Sequence, residues 1–113
     1  MRIEVKGRNV TVDEELKARA ERRFEKVARQ VSTLARLELE LYEERNPSIR
    51  DSQVAEGTLY LKGVTLRARD ASEDLGHSIN LVADELARQV KRHRDKRRGR
   101  REAREDPATP SAP

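Results

Sequence analysis

The stretch SEDLGHSINLVADELARQVKRHRDKRRGRR, residues 72–101, carries two patterns end to end. In its first two thirds Leu75, Ile79, Val82, Leu86 and Val90 recur at steps of three or four, one face of an amphipathic helix. Ser72 stands where it can cap the start, and Glu73 and Asp74 sit where the positive end of the helix dipole favours carboxylates. Past Val90 the apolar stripe stops while helix-forming residues continue. From Arg88 to Arg104 there are ten Arg or Lys against two acids, Asp95 and Glu102. The pattern predicts a helix over about residues 72–101 that docks by its N-terminal half. Its cationic half projects into solvent, and the run from Arg94 to Arg101 alone adds roughly 12 Å of rod. A polyanion fits such a rod, because phosphates relieve the repulsion among its cations and release counterions.

An amphipathic helix needs a surface to bury against, and the residues before it supply a sheet. Val64, Leu66 and Ala68 alternate with Thr65, Arg67 and Arg69, a strand entered through a turn at Lys62-Gly63. The strand before it runs from Gln53 to Lys62, with Leu59 and Leu61 inward and Glu56, Thr58, Tyr60 and Lys62 outward. Asn46-Pro47-Ser48 reads as a turn. Between Leu34 and Glu44, Leu37, Leu39 and Leu41 face one way and Arg36, Glu38, Glu40 and Tyr42 the other. Thr11 and Glu14 fit a capping box that opens a single helix from Val12 to Gln30. Leu16, Ala20, Phe24, Val27 and Val31 form its buried stripe, with Arg19, Arg22, Arg23, Lys26 and Arg29 on its flanks and outer face. Met1 to Lys6 alternates as a half-buried strand, and Gly7-Arg8-Asn9 breaks it.

The order is β-α-β-β-β-α, an α+β domain. Each strand has one polar face, so the sheet is expected to be covered on one side only, by both helices packed next to each other. A right-handed crossover makes the first two strands parallel, and the later strands form an antiparallel meander. Two basic helices lying together leave a cationic groove between them. From Glu105 the segment EDPATPSAP, residues 105–113, is proline-rich, small and polar, which predicts a disordered tail.

Composition agrees with one domain under a densely charged surface: 41% of the 113 residues are charged and 35% hydrophobic. The net charge of +4 says less than the crowding of basic residues late in the chain. Cysteine is absent, so disulfide and thiolate chemistry are unavailable. The first residues lack the long apolar segment of a secretory signal and no run reaches membrane-spanning length, so a cytoplasmic protein is expected.

Catalytic patterns are missing. His77 and His93, sixteen residues apart, have no further ligands clustered with them for a metal. His77 reads as a surface residue and His93 as a helix-edge or RNA-contact residue. Glu4, Glu38, Glu40 and Glu56 share the open sheet face, where cross-strand pairing with Arg36, Lys62, Arg67 and Arg69 is favoured over acid–base work. There is no Walker-type loop, nucleophile elbow or dinucleotide fingerprint, and Gly7 and Gly63 read as turn glycines. No enzyme activity, cofactor or small-molecule substrate is expected. Tyr42 and Tyr60 on the outer sheet face make a poor platform for stacking bases among so many glutamates. The helix side is expected to meet nucleic acid.

Two motifs together carry a family resemblance. Ile3-x-Val5-x-Gly7-Arg8-Asn9-Val10, followed by a helix ending in Arg23-Phe24-Glu25-Lys26-Val27, is the first. Asp74-Leu75, Ile79, Asp84-Glu85-Leu86-Ala87-Arg88-Gln89-Val90 and Arg92-His93-Arg94-Asp95-Lys96 make the second. Over about residues 1–98 the chain resembles the ribosome hibernation-promoting factor family, also called the ribosome-associated inhibitor or protein Y family. The resemblance implies a four-stranded sheet with two helices on one face. It also implies a non-enzymatic protein that binds the small ribosomal subunit near the decoding centre, where messenger and transfer RNA would sit, and inactivates ribosomes in stress or stationary phase. By position it assigns ribosomal RNA contacts to Arg23, Lys26, Arg88, Arg92, Arg94 and Lys96. Lys91, Arg97 and Arg98 extend the patch by composition. Gly76-His77 stands where the family commonly has an aromatic residue and alanine, Asn80 where it has aspartate, and Glu85 where it has lysine. A general RNA-binding or RNA-chaperone module, and an adaptor whose basic helix binds an acidic protein, are the other readings of the same surface.

Overall fold

The computed structural model describes residues 1–45 and 50–105; the turn expected at Asn46-Pro47-Ser48 and residues 106–113 of the tail expected from Glu105 lie outside the described residues, while Glu105 itself ends the last helix rather than opening a disordered tail. Its elements are β1 (Arg2–Arg8), α1 (Glu14–Arg23), α2 (Glu25–Arg29), β2 (Arg36–Glu43), β3 (Gln53–Leu61), β4 (Val64–Ser72) and α3 (Leu75–Glu105). The four strands form one sheet in the order β1-β2-β3-β4. β1 runs parallel to β2, and the other pairs are antiparallel. This is the expected α+β architecture with its mixed sheet.

Alternation sets the two faces. Ile3, Leu37, Leu59 and Leu66 line up across the sheet on the face beneath the helices, and Val5, Leu39, Gly57 and Ala68 form the next row. Against them pack Ala20, Phe24 and Val27 of the first helical segment and Ile79, Val82, Leu86 and Val90 of α3, all essentially buried. Two of the inward β3 positions, Ala55 and Gly57, are small. A Cβ on Gly57 would stand 2.9 Å from both Leu86 Cδ1 and Val82 Cγ1, so the missing side chain is what lets α3 lie so close.

The opposite face carries Glu4-Glu38-Thr58-Arg67 and Lys6-Glu40-Glu56-Arg69 as cross-strand rows. It is not uniformly polar, however. Tyr42 and its cross-strand partner Val54 are buried there. Arg8 lies over the Tyr42 ring at 4.2 Å, and the Tyr42 hydroxyl donates to Glu56 while accepting from Arg69. Period two assigns a face to each side chain; it does not decide whether that face is wet.

Several local expectations are corrected. The first helix is not continuous from Val12 to Gln30. It bends at Phe24, whose backbone leaves helical geometry (φ −91°, ψ 2°) while hydrogen bonds still run through it, from its N–H to Ala20 and to its carbonyl from Ala28. Its cap is Asp13, which accepts from the Leu16 N–H at 2.8 Å, rather than Thr11. Likewise α3 is capped by Asp74, which accepts from the His77 N–H, and not by Ser72. Ser72 ends β4 and bonds the fully buried Ser78, whose hydroxyl donates to the Gln53 carbonyl at 2.6 Å. That small network ties the start of α3 to two strands. In both cases several Asp, Ser or Thr side chains crowd one helix start, and the one with a free N–H three residues on is the cap. Gly7 is no turn glycine. It belongs to β1, where a Cβ would meet the Val10 carbonyl oxygen at 2.4 Å. The left-handed residue is Asn9 (φ 57°), whose amide exchanges two hydrogen bonds with the Glu43 backbone and so prolongs the β1–β2 pairing. Gly63 (φ +81°) does make the β3–β4 turn.

Candidate nucleic-acid interface

Arg23 ends α1 and Lys26 lies in α2, so the bend at Phe24 separates them by less than a full turn and leaves both at the border with α3. On α3 a stripe at steps of three or four, Asp84, Ala87, Arg88, Lys91 and Arg94, turns toward them. Together these side chains line a groove of about 290 Å³ with Val27, Gln30 and Ala83 in its floor. Alanines at 83 and 87 keep that flank of the helix low. Above them stand five cations and one acid.

The nine cations singled out in the sequence are not equivalent here. Arg23, Lys26, Arg88, Lys91 and Arg94 converge on the groove. Arg92 and Lys96 lie on the other flank of α3, one turn apart, and Arg97 points into a separate cleft beneath the helix. Arg98 follows Lys91 and Arg94 on the groove side of the free rod. Beyond Val90, its last core residue, α3 continues for fifteen residues, about 22 Å of helix that runs out over and past the end of the sheet.

Ion pairing separates them further. Glu85 accepts from Arg88 at 2.7 and 3.0 Å and lies 3.5 Å from Arg92, so one carboxylate holds two of the cations. The hydrogen bond from Arg88, then that from Gln89, holds the Glu85 carboxyl below the ordinary range, and the charges of Arg88 and Arg92 add to this. Among the described residues, Arg23, Lys26, Lys91, Arg94, Lys96 and Arg97 make no ion pair with an acid. Such uncompensated charge attracts phosphate oxygens. Glu85 and Asp84 also belong to this surface, and their spacing of three and four residues from Arg88 is the local signal for it.

The remaining candidates fall where chemistry is weak. His77 is exposed and His93 half-buried beneath the overhanging helix. No group able to hold a metal ion occurs among the described residues. On the open sheet face Glu56 pairs with Arg69, Glu40 with Arg8 and Glu38 with Arg36. Lys62 and Arg67, expected to share in this pairing, form no ion pair among the described residues. Tyr60 has Arg36 over its ring at 4.4 Å, so neither tyrosine offers an open face for stacking. Glycine at position 76 has a local consequence. The Arg19 guanidinium lies over Gly76, where a Cβ would come within 2.6 Å of it, joining α1 to the start of α3. No described helix is long and apolar enough to cross a membrane.

Comparison with known proteins bears on the same region. The family described as sigma 54 modulation protein / S30EA ribosomal protein matches residues 3–98. A ribosome hibernation promotion factor of Picosynechococcus sp. is 33% identical over 102 residues, which cover 89% of this chain and 53% of that protein. The factor of the same name from Lactococcus lactis subsp. cremoris is 30% identical over 98 residues, 83% of this chain and 50% of its own. The chain thus spans about half the length of these two relatives. It matches 96% of the ribosome hibernation promoting factor of Salmonella typhimurium, at 28% identity over 96 residues. The Thermus thermophilus Protein Y N-terminal domain superposes with a TM-score of 0.71 at 23% identity, over 82% of this chain and 99% of that one, a likeness of fold.

Proposed function

Because the chain belongs to the sigma 54 modulation protein / S30EA ribosomal protein family, we propose that it is a ribosome hibernation factor whose inter-helix groove seats ribosomal RNA of the small subunit. The site lies near the decoding centre, and the bound protein keeps messenger and transfer RNA out in stress or stationary phase. One observation carries the reading: cations from helices distant in sequence, Arg23 of α1 and Lys26 of α2 on one side and Arg88, Lys91 and Arg94 of α3 on the other, border one groove. Phosphates are the ligand such a groove can hold, since their charge offsets the repulsion among the five cations and their oxygens accept from every donor. Arg92, Lys96 and Arg98, on or beside the projecting part of α3, extend the contact along the RNA backbone. Arg97 reaches it from below.

Phosphate contacts position a protein but supply no address, so attraction to RNA and exclusion of translation ligands must be tested apart. Small subunits preloaded with messenger and initiator transfer RNA are expected to bind the protein much more weakly than vacant ones, measured by co-sedimentation. Equal binding to loaded and vacant subunits refutes exclusion. Sedimentation with RNA of every size class, and not with subunits, would instead identify a general RNA-binding module.

A further inference from the structure

A second concavity, of about 670 Å³, opens where α3 runs out over the end of the sheet. Its interior is aliphatic: Val31, Ala35, Leu61 and Val90 meet there. Leu34, at its mouth, is 91% exposed and is the one large apolar side chain so exposed among the described residues. The rim is cationic, with Lys62 on the β3–β4 turn and Arg94 and Arg97 on the overhanging helix, and no acid lines it. Of the two rings at its edge, Tyr60 already carries the Arg36 guanidinium and His93 is half-buried, so the cleft is a poor platform for stacking a nucleobase. An aliphatic interior instead suits a leucine-sized side chain, and the rim suits carboxylates on either side of it.

We infer that this cleft beneath α3 is a docking site for a short acidic protein segment that carries bulky apolar residues. The apolar anchor enters between Val31, Leu34 and Leu61 and covers Leu34, while aspartates or glutamates reach Lys62, Arg94 and Arg97. Charge complementarity selects the partner and apolar burial retains it. The inference does not depend on where the groove between the helices binds.

The test titrates the full chain, isotope-labelled at its methyl groups, with a synthetic peptide bearing a pair of leucines among aspartates and glutamates. Saturable shifts are expected at the methyls of Val31, Leu34, Leu61 and Val90. Replacing the peptide leucines by serine is expected to weaken binding by about tenfold or more, because the charge remains and the anchor is lost. Leu34→Asp is expected to do the same with an unchanged spectrum elsewhere, since Leu34 contributes nothing to the core. Arg97→Glu, outside the groove, is expected to weaken the peptide too. The proposal is overturned if no saturable shift occurs, if the serine peptide binds equally, or if the shifts appear at Val27, Ala83 and Ala87 in the groove. It is also overturned if a single-stranded RNA oligomer moves the cleft methyls at lower concentration than the peptide, which assigns the cleft to nucleic acid.

Discussion

Glu85 is the residue with most leverage on the surface of α3. Its single carboxylate holds both Arg88 and Arg92. Glu85→Gln is expected to release both, raise affinity for RNA and steepen the dependence of log affinity on log salt by about one. An unchanged slope would mean that neither arginine meets a phosphate. The same change has a pH signature. The folded Glu85 carboxyl lies below its unfolded value, so its contribution to stability is present above the unfolded value and lost as pH falls through the folded one. The stability difference between wild type and Glu85→Gln is therefore expected to close on acidification below the ordinary carboxylate range, read by thermal melts. Gly57 acts on packing instead. With Leu86 and Val82 already within 2.9 Å of where a Cβ would sit, Gly57→Ala is expected to cost about 1–3 kcal/mol in chemical denaturation.

At the scale of the element, α3 divides by function along its length and around its axis. Its inward face from Ile79 to Val90 covers the sheet. Leu86→Ala is expected to cost about 2–5 kcal/mol through the cavity it leaves, with any loss of binding following the loss of fold. The groove face behaves in the opposite way. Changing Lys26, Lys91 and Arg94 together to glutamate is expected to weaken subunit binding by about a hundredfold or more while the melting temperature barely moves. Arg92 and Lys96 are left unchanged in this variant, because Arg92 is paired with Glu85 and Lys96 faces away from the groove. A folded variant that binds vacant subunits as wild type does would exclude the groove as the contact.

For the whole molecule, the sheet gives its covered face to the helices and most of its open face to ion pairs and capped tyrosines, so that unpaired cations converge on the helix side. That asymmetry argues for one binding face and one orientation on a partner. If that face occupies the decoding channel, excess protein is expected to inhibit initiation in a cell-free reaction, with relief as messenger and initiator transfer RNA are raised. Inhibition that those ligands do not relieve would point to a peripheral ribosomal site.

Much of this was legible in the chain. The alternation of Leu37, Leu39 and Leu41, the stripe from Leu75 to Val90 and the basic run after it are local patterns, and period two or 3.6 converts each directly into a face. So the β-α-β-β-β-α order, the sheet covered on one side and the cationic groove between helices could all be read from residues alone. What tertiary structure decided was convergence. Composition ranks the nine cations alike; only the seating of α3 on Ala55 and Gly57, with Ala83 and Ala87 turned to the first helical segment, determines that five share the groove. The bend at Phe24, the caps at Asp13 and Asp74, and the cleft beneath the overhanging helix have the same origin. Each depends on which groups meet across elements distant in sequence, and periodicity carries no information about the angle and depth at which two such elements pack.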